Sequence, residues 1–342
     1  MGSDFYSLAP AEQGERLTAL AQSTLPHWNL EGAVLEIIKM RENAVFCARR
    51  PDGARFALRI HRHGYHTDAE LHSELLWMRA LDASGIHVPP LIPSRTGELF
   101  IKATHAGVPE ARQVDLFGWV DGRQLGSAEG GVAGDYAEIE LTFHTIGELS
   151  ARMHNQASMW PIPSGFQRHA WDTEGLVGEN PFWGRFWELA ALSPDQRALV
   201  QRGRIRVARD LDAFGRRPET YSLIHADFTP ENLLVDGEQV RPIDFDDAGF
   251  GWHLFDIATS LFFHLDADYF LAARDALVRG YRSARPLSDR DLDRLPLFFA
   301  ARGFTYLGWV HTRHETQTAQ ELTPMLVDLS CRMTDQYLSR AG

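Results

Sequence analysis

Cysteine is scarce in this chain: two occur among 342 residues, Cys47 inside an apolar run and Cys331 near the end. Two thiols so placed build neither a disulfide framework nor a cysteine zinc cluster, and a reducing interior is the expected environment. The first residues, MGSDFYSLAPAEQGERL, lack the basic start and apolar run of a signal peptide. No stretch approaches the roughly 18 uninterrupted apolar residues of a membrane span. A soluble, cytoplasmic protein with no membrane partner is therefore expected. Positive charge is the minority sign, 34 Lys+Arg against 46 Asp+Glu for a net −12, which disfavours nucleic acid as a partner. Neither Gly-x-x-x-x-Gly-Lys-Ser/Thr nor Gly-x-Ser-x-Gly occurs, which sets aside P-loop NTPases and typical α/β-hydrolases. The chain has 15 histidines, but no zinc spacing is completed, and His311-Thr312-Arg313-His314-Glu315 is not His-Glu-x-x-His. His61, His63, His66 and His72 are read as surface or helix-start residues.

What is present is enough for two lobes, at about 150 residues per domain. Leu17, Leu20, Ala21, Thr24 and Leu25 lie at helical spacing before Pro26, so a short helix opens the chain over 11–25. Strand-like runs follow at 33–39, 44–50 and 54–61, the last two flanking a Pro51-Asp52-Gly53 turn. Thr67-Asp68-Ala69-Glu70 is a capping box, and Leu71, Leu75, Met78 and Leu81 define one face of the helix it starts. Two more strands are expected at 98–102 and 113–119, after which Val120-Asp121-Gly122 breaks the pattern. Beyond it lie helical segments at 136–156, 194–214, 253–264, 269–282 and 320–339, interrupted by short strands at 221–225, 233–235 and 241–243. The expected fold is α+β: a five-stranded antiparallel lobe with one crossing helix over 1–119, and a mostly helical lobe over 120–342.

The most specific stretch is His225-Ala226-Asp227-Phe228-Thr229-Pro230-Glu231-Asn232, followed by Ile243-Asp244-Phe245-Asp246-Asp247. Phosphoryl transfer needs a carboxylate to receive or orient the proton of the attacking hydroxyl. It also needs an amide oxygen and a second carboxylate to hold Mg²⁺ on the phosphates. Asp, then Asn five positions later, then Asp after a short hairpin is the kinase arrangement of these parts. Here the three are Asp227, Asn232 and Asp244.

On these residues the chain resembles the aminoglycoside phosphotransferase, choline kinase and homoserine kinase superfamily, whose fold is protein-kinase-like. Within it the resemblance is to the stress-response kinase A group and to bacterial members of the phosphotransferase enzyme family. It extends from the Glu42-Asn43 loop to the helix around Trp309. Its sharpest part is Leu223-Ile224-His225-Ala226-Asp227 to Asn232 with Val240-Arg241-Pro242-Ile243-Asp244-Phe245-Asp246-Asp247-Ala248. The family usually has Gly where Ala226 stands. The resemblance implies ATP and Mg²⁺ as cofactors, with the glycine-free Met40-Arg41-Glu42-Asn43-Ala44-Val45-Phe46 segment covering the nucleotide through backbone N–H groups and Asn43. It places Arg59 where kinases carry a Lys that pairs with ATP phosphates and with a helix acid, here Glu74, with Glu70 as the fallback. Phe117-Gly118-Trp119 would offer backbone groups to adenine, and Trp119 is a candidate nucleotide neighbour. Asp256 matches a family Asp that braces the catalytic loop.

Only eleven residues separate Asp244 from Asp256, with no Ala-Pro-Glu, so the long activation segment that docks peptides is missing. A small, diffusible hydroxyl acceptor is expected, and Asp246 and Asp247 are candidates to pair with an amine on it. The aromatic segment 159–187, with Trp160, Trp171, Phe182, Trp183 and Trp187, is either helix packing or a lid over a cationic or sugar-like ligand. Two alternatives stay open: a protein Ser/Thr kinase of the stress-response type, and a nucleotide-binding pseudokinase, the latter motivated by Arg59 and the glycine-free loop.

Overall fold

A computed structural model describes residues 5–40, 43–127, 130–237 and 239–340, and the chain divides into two compact units. The first comprises Met1–Asp121 with Ile162–Gln167. Helix α1 (Pro10–Thr24) precedes strands β1 (Val34–Met40), β2 (Ala44–Arg49) and β3 (Arg55–Ile60). Helix α2 (Asp68–Ala83) and strands β4 (Ile101–His105) and β5 (Val108–Gly118) complete the unit. The antiparallel sheet runs β1-β2-β3-β5-β4. Its hairpin between β2 and β3 turns at Gly53, whose φ of 90° is the left-handed conformation that costs glycine little. Thr67 and Glu70 form the expected reciprocal cap on α2.

Strand alternation gives this sheet two unlike faces. Leu58, Ile60, Val114 and Leu116 join Leu20, Leu25 and Phe46 in a buried apolar cluster. The intervening residues, Arg59 on β3 and Asp115 on β5, turn to the opposite face and are direct cross-strand partners.

The second unit comprises Gly122–Pro161 and Arg168–Gly342. Helices α3 (Tyr136–Met159) and α4 (Pro194–Phe214) lead into strands β6 (Tyr221–Ile224), β7 (Leu233–Asp236), β8 (Gln239–Pro242) and β9 (Gly249–Trp252). Helices α5 (His253–Phe262), α6 (Phe270–Ala284), α7 (Leu295–Thr312) and α8 (Gln317–Ser339) follow. Helices α3 and α6 touch backbone to backbone at Gly147 and Gly280, where a Cβ would collide with the Leu277 and His144 carbonyls. Helix α7 is absent from the periodicity reading because it is buried nearly all round, so no polar stripe marks it. Among the described residues no helix is long and apolar enough to cross a membrane. Within the aromatic segment Trp171 is fully buried, with Trp183 and Phe255 rings 5.3 and 5.6 Å away, while Met159 and Ile162 are exposed.

Candidate active site

Strand pairing places the two motif loops side by side. β6 pairs with β9 so that Ile224 faces Gly249, and β7 pairs with β8 so that Leu233 faces Pro242. The loops 225–232 and 243–248 are therefore each pinned at both ends by ladders they share. The Ile243 N–H donates to the Asn232 carbonyl at 2.9 Å, and the His225 ring nitrogen Nε2 lies 3.1 Å from the Ile243 carbonyl. The other ring nitrogen, Nδ1, accepts the Asp227 N–H at 3.2 Å, which ties the two loops through one imidazole.

Asp227 is partly buried and its carboxylate is held from both sides. Asn232 Nδ2 donates to Asp227 Oδ2 at 2.5 Å and to its carbonyl at 3.1 Å. Arg302 Nη2 donates to Oδ1 at 2.7 Å. With the Asn232 amide nitrogen committed to Asp227, its Oδ1 is the atom left to accept or to ligate. Asp244, exposed and with φ 64°, follows Ile243 directly. An amide oxygen and a carboxylate on adjacent main chains are hard oxygen donors suited to a small divalent cation.

Ala226, between the motif His and Asp, has φ 65°, where a Cβ is strained by roughly 1–2 kcal/mol. The surroundings over-determine that conformation. Asp256 on α5, fully buried, accepts the His225 N–H at 3.1 Å and the Ala226 N–H at 2.6 Å, while Arg302 Nη1 donates to the Ala226 carbonyl at 3.0 Å. Burial pushes the Asp256 carboxyl up to about 6, against the opposing pull of His225 and these N–H groups. Burial and the Arg285 charge hold His154 well below the usual imidazole range. Neutral His154 donates from Nε2 to Asp256 Oδ2 at 3.0 Å and accepts the Tyr281 hydroxyl at Nδ1, 2.9 Å away.

In the first unit, Arg59 forks onto Asp115, with Nε to Oδ1 at 3.1 Å and Nη2 to Oδ2 at 2.8 Å. Nη2 also reaches Glu74 Oε1 at 2.8 Å. Glu70 instead serves the α2 cap, accepting the Thr67 N–H at 2.8 Å. His61 Nε2 lies 3.0 Å from Asp115 Oδ2. Burial alone would raise the Asp115 carboxyl, but the Arg59 and His61 charges and hydrogen bonds overcome it and hold the group at about 2, below the usual carboxylate range. A depressed acid stabilises the fold above its unfolded value, and that stabilisation drains away as pH falls from near 4 towards 2. The acid unfolding curve is expected to lose about 2 kcal/mol through this group over that window. Asp115→Asn should flatten that part of the curve in denaturant titrations at pH 2–5; an unchanged slope would rule the linkage out.

Every candidate but Glu42 lies among the described residues. Asp227 and Asn232 meet in the second unit, and Asp244 stands on the adjoining loop, one residue after Ile243, whose N–H donates to the Asn232 carbonyl. Asp246 is buried, its carbonyl accepting from Arg168, and Asp247 is half-buried, its Oδ1 accepting from Trp183 Nε1 at 3.2 Å. Arg59 and Glu74 converge in the first unit. Asn43 Oδ1 accepts the Arg62 N–H at 3.2 Å, Trp119 lies under Arg55, and Glu42 falls outside the described residues. The reading of the early histidines as surface or helix-start residues holds for His63 and His72, which are exposed. It is corrected for His61, which is buried beside Asp115, while His66 is buried but directly precedes the Thr67 cap of α2 as a helix-start residue.

The family model described as Phosphotransferase enzyme family (APH) matches residues 35–298. The chain belongs to this family. The phosphotransferase is similar to the solved structure of a microcompartment-associated aminopropanol kinase, at 30% identity and a TM-score of 0.83, covering 94% of this chain and 98% of that one. It shares its fold with the amicoumacin kinase hAmiN solved with AMP-PNP, Ca²⁺ and Ami, at 21% identity and a TM-score of 0.75, covering 96% of each chain. A homoserine kinase of Rhizobium etli is 27% identical over 231 residues, 66% of this chain and 63% of its own. The protein is thus an enzyme of the small-molecule kinase and phosphotransferase type, with the protein-kinase-like fold.

Two residues of the phosphotransferase that pair with the candidate side chains escape motif reading. Asp115 is a lone acid in Val114-Asp115-Leu116-Phe117, and Arg302 a lone cation in Phe298-Phe299-Ala300-Ala301-Arg302-Gly303-Phe304. A single charge inside an apolar run is the signal that could have found both, because a buried charge persists only where it is paired.

Proposed function

We propose that the enzyme transfers the γ-phosphoryl group of ATP, with Mg²⁺, to the hydroxyl of a small amine-bearing alcohol. The observation that carries this reading is Asp227 braced by Asn232 and Arg302 beside Asp244, on loops pinned by shared strand pairs. Asp227 orients the acceptor hydroxyl and takes its proton. The acceptor oxygen bonds to the γ-phosphorus while the bond to the β,γ-bridging oxygen breaks, its electron pair leaving with ADP. Asn232 Oδ1 and the Asp244 carboxylate are the groups that would hold Mg²⁺, which neutralises phosphate charge when bound. Arg59, oriented by Glu74, supplies positive charge for the phosphates, while Glu42, Asn43 and Trp119 are assigned to the nucleotide. The aminopropanol kinase likeness supports an amino-alcohol acceptor. Asp246 and Asp247 are the carboxylates assigned to its amine, and half-buried Asp247 is the better placed of the two.

The test is ADP release from Mg·ATP with amino-alcohols, homoserine, an aminoglycoside and a generic protein. Turnover of a small alcohol is the expected result. Labelling of the protein alone would favour a stress-response type protein kinase. Thermal stabilisation by ATP without turnover on any acceptor would favour a nucleotide-binding pseudokinase.

A further inference from the structure

We infer that Arg302 is the positioning residue of this site, setting the orientation of the Asp227 carboxylate and the strained backbone just before it. The inference rests on the phosphoryl-transfer reading above and adds to it a residue from a helix that no motif reaches.

Arg302 sits on α7 with no exposed surface. Its guanidinium lies among three rings, 4.1 Å from the Tyr306 centroid, 4.9 Å from Trp183 and 5.4 Å from Phe255. From that box Nη1 donates to the Ala226 carbonyl at 3.0 Å, and Nη2 to Asp227 Oδ1 at 2.7 Å and to the Tyr306 hydroxyl at 2.8 Å. If helix packing were the whole role, an apolar residue would serve better, since a fully buried ion pair is often no more stabilising than a well-packed hydrophobe of the same volume. The charge is instead kept where its ion-pair partner is the acid of the motif loop.

The geometry shows what the pairing accomplishes. Asp227 Oδ2 is tethered by Asn232 and Oδ1 by Arg302, so rotation about the carboxylate's own axis is blocked, while a side-chain exposure of 20% leaves an edge open to an acceptor. Ala226 is gripped at both ends, by Asp256 on its N–H and by Arg302 on its C=O. Removing the fork releases Oδ1 and the Ala226 carbonyl together. A misaimed carboxylate slows the chemical step without altering how ATP is held.

The experiment compares wild type with Arg302→Gln, Arg302→Lys, Phe304→Leu and Asp227→Asn, reading ADP release with 1-amino-2-propanol, L-homoserine and water as acceptors. Lys keeps the charge and most of the stem but cannot fork, and it serves if the Gln variant does not fold. Phe304, stacked on Phe186 with centroids 4.7 Å apart, gauges what loosening α7 does without touching Asp227. Losing a hydrogen bond to a charged group predicts a fall in kcat of about 10- to 100-fold for Arg302→Lys, with KM for ATP within about threefold of wild type. Phe304→Leu should lower Tm while keeping kcat within about threefold. If Arg302→Lys keeps wild-type kcat, or if kcat and KM for ATP shift together, the inference is overturned while an inactive Asp227→Asn leaves the transfer reading standing. If wild type is no faster than Asp227→Asn on every acceptor, the reading falls and the inference with it.

Discussion

Asp227→Asn is expected to lower kcat for the acceptor by about two to four orders of magnitude, the usual worth of a positioned general base, while affinity for AMP-PNP stays within about threefold. The substitution keeps the side-chain shape but removes the charge. Its amide must then face Arg302 on one side and the Asn232 amide nitrogen on the other, both of them donors. One side is left donor against donor, so the loop is disturbed as well as the proton acceptor lost. A steady-state comparison over a range of ATP concentrations, with AMP-PNP binding measured by calorimetry, separates the two. Loss confined to kcat supports Asp227 as the proton acceptor. Unchanged kcat would remove Asp227 from the mechanism, and a parallel loss of AMP-PNP affinity would assign it to nucleotide binding.

Arg59→Met is expected to destabilise the protein by about 3–5 kcal/mol in denaturant unfolding, because it takes the guanidinium away from two buried carboxylates, Asp115 and Glu74, and leaves Asp115 with His61 in place of its bidentate partner. Both acids have fully buried side chains, so water cannot take over the role of the guanidinium. Arg59→Lys should also be costly, since an ammonium is a point charge and cannot meet two oxygens of Asp115 while reaching Glu74. Restoring shape without charge in Arg59→Met with Asp115→Leu should recover part of the loss, the Glu74 contact with Arg59 staying lost. If Arg59→Met costs less than about 1 kcal/mol, the pairs are energetically idle and the account of Arg59 fails. Arg59 in place of lysine thus has a structural reason: its fork matches the carboxylate that the sheet register sets opposite it.

The candidate catalytic segment was legible because its information is local. Asp227, Asn232 and Asp244 belong to one strand–loop–hairpin–loop run, and spacing alone carries their relation. The capping box at Thr67 and the Pro51-Asp52-Gly53 turn were readable for the same reason, since each is closed by hydrogen bonds between residues a few positions apart. Helix α7 was reached only through the family resemblance, around Trp309, because a helix buried nearly all round has no amphipathic period to detect.

The local pattern determined which side chains are candidates for phosphoryl-transfer chemistry, and the order in which strands and helices carry them. Tertiary structure decided how those side chains are held. Asp115 meets Arg59 across 56 positions of sequence, Asp256 grips Ala226 across 30, and Arg302 reaches Asp227 across 75. None of these pairs has a periodicity or a turn to announce it. Each exists because a charge or a strained carbonyl buried by one element must be satisfied by another, and only the packed fold says which element that is.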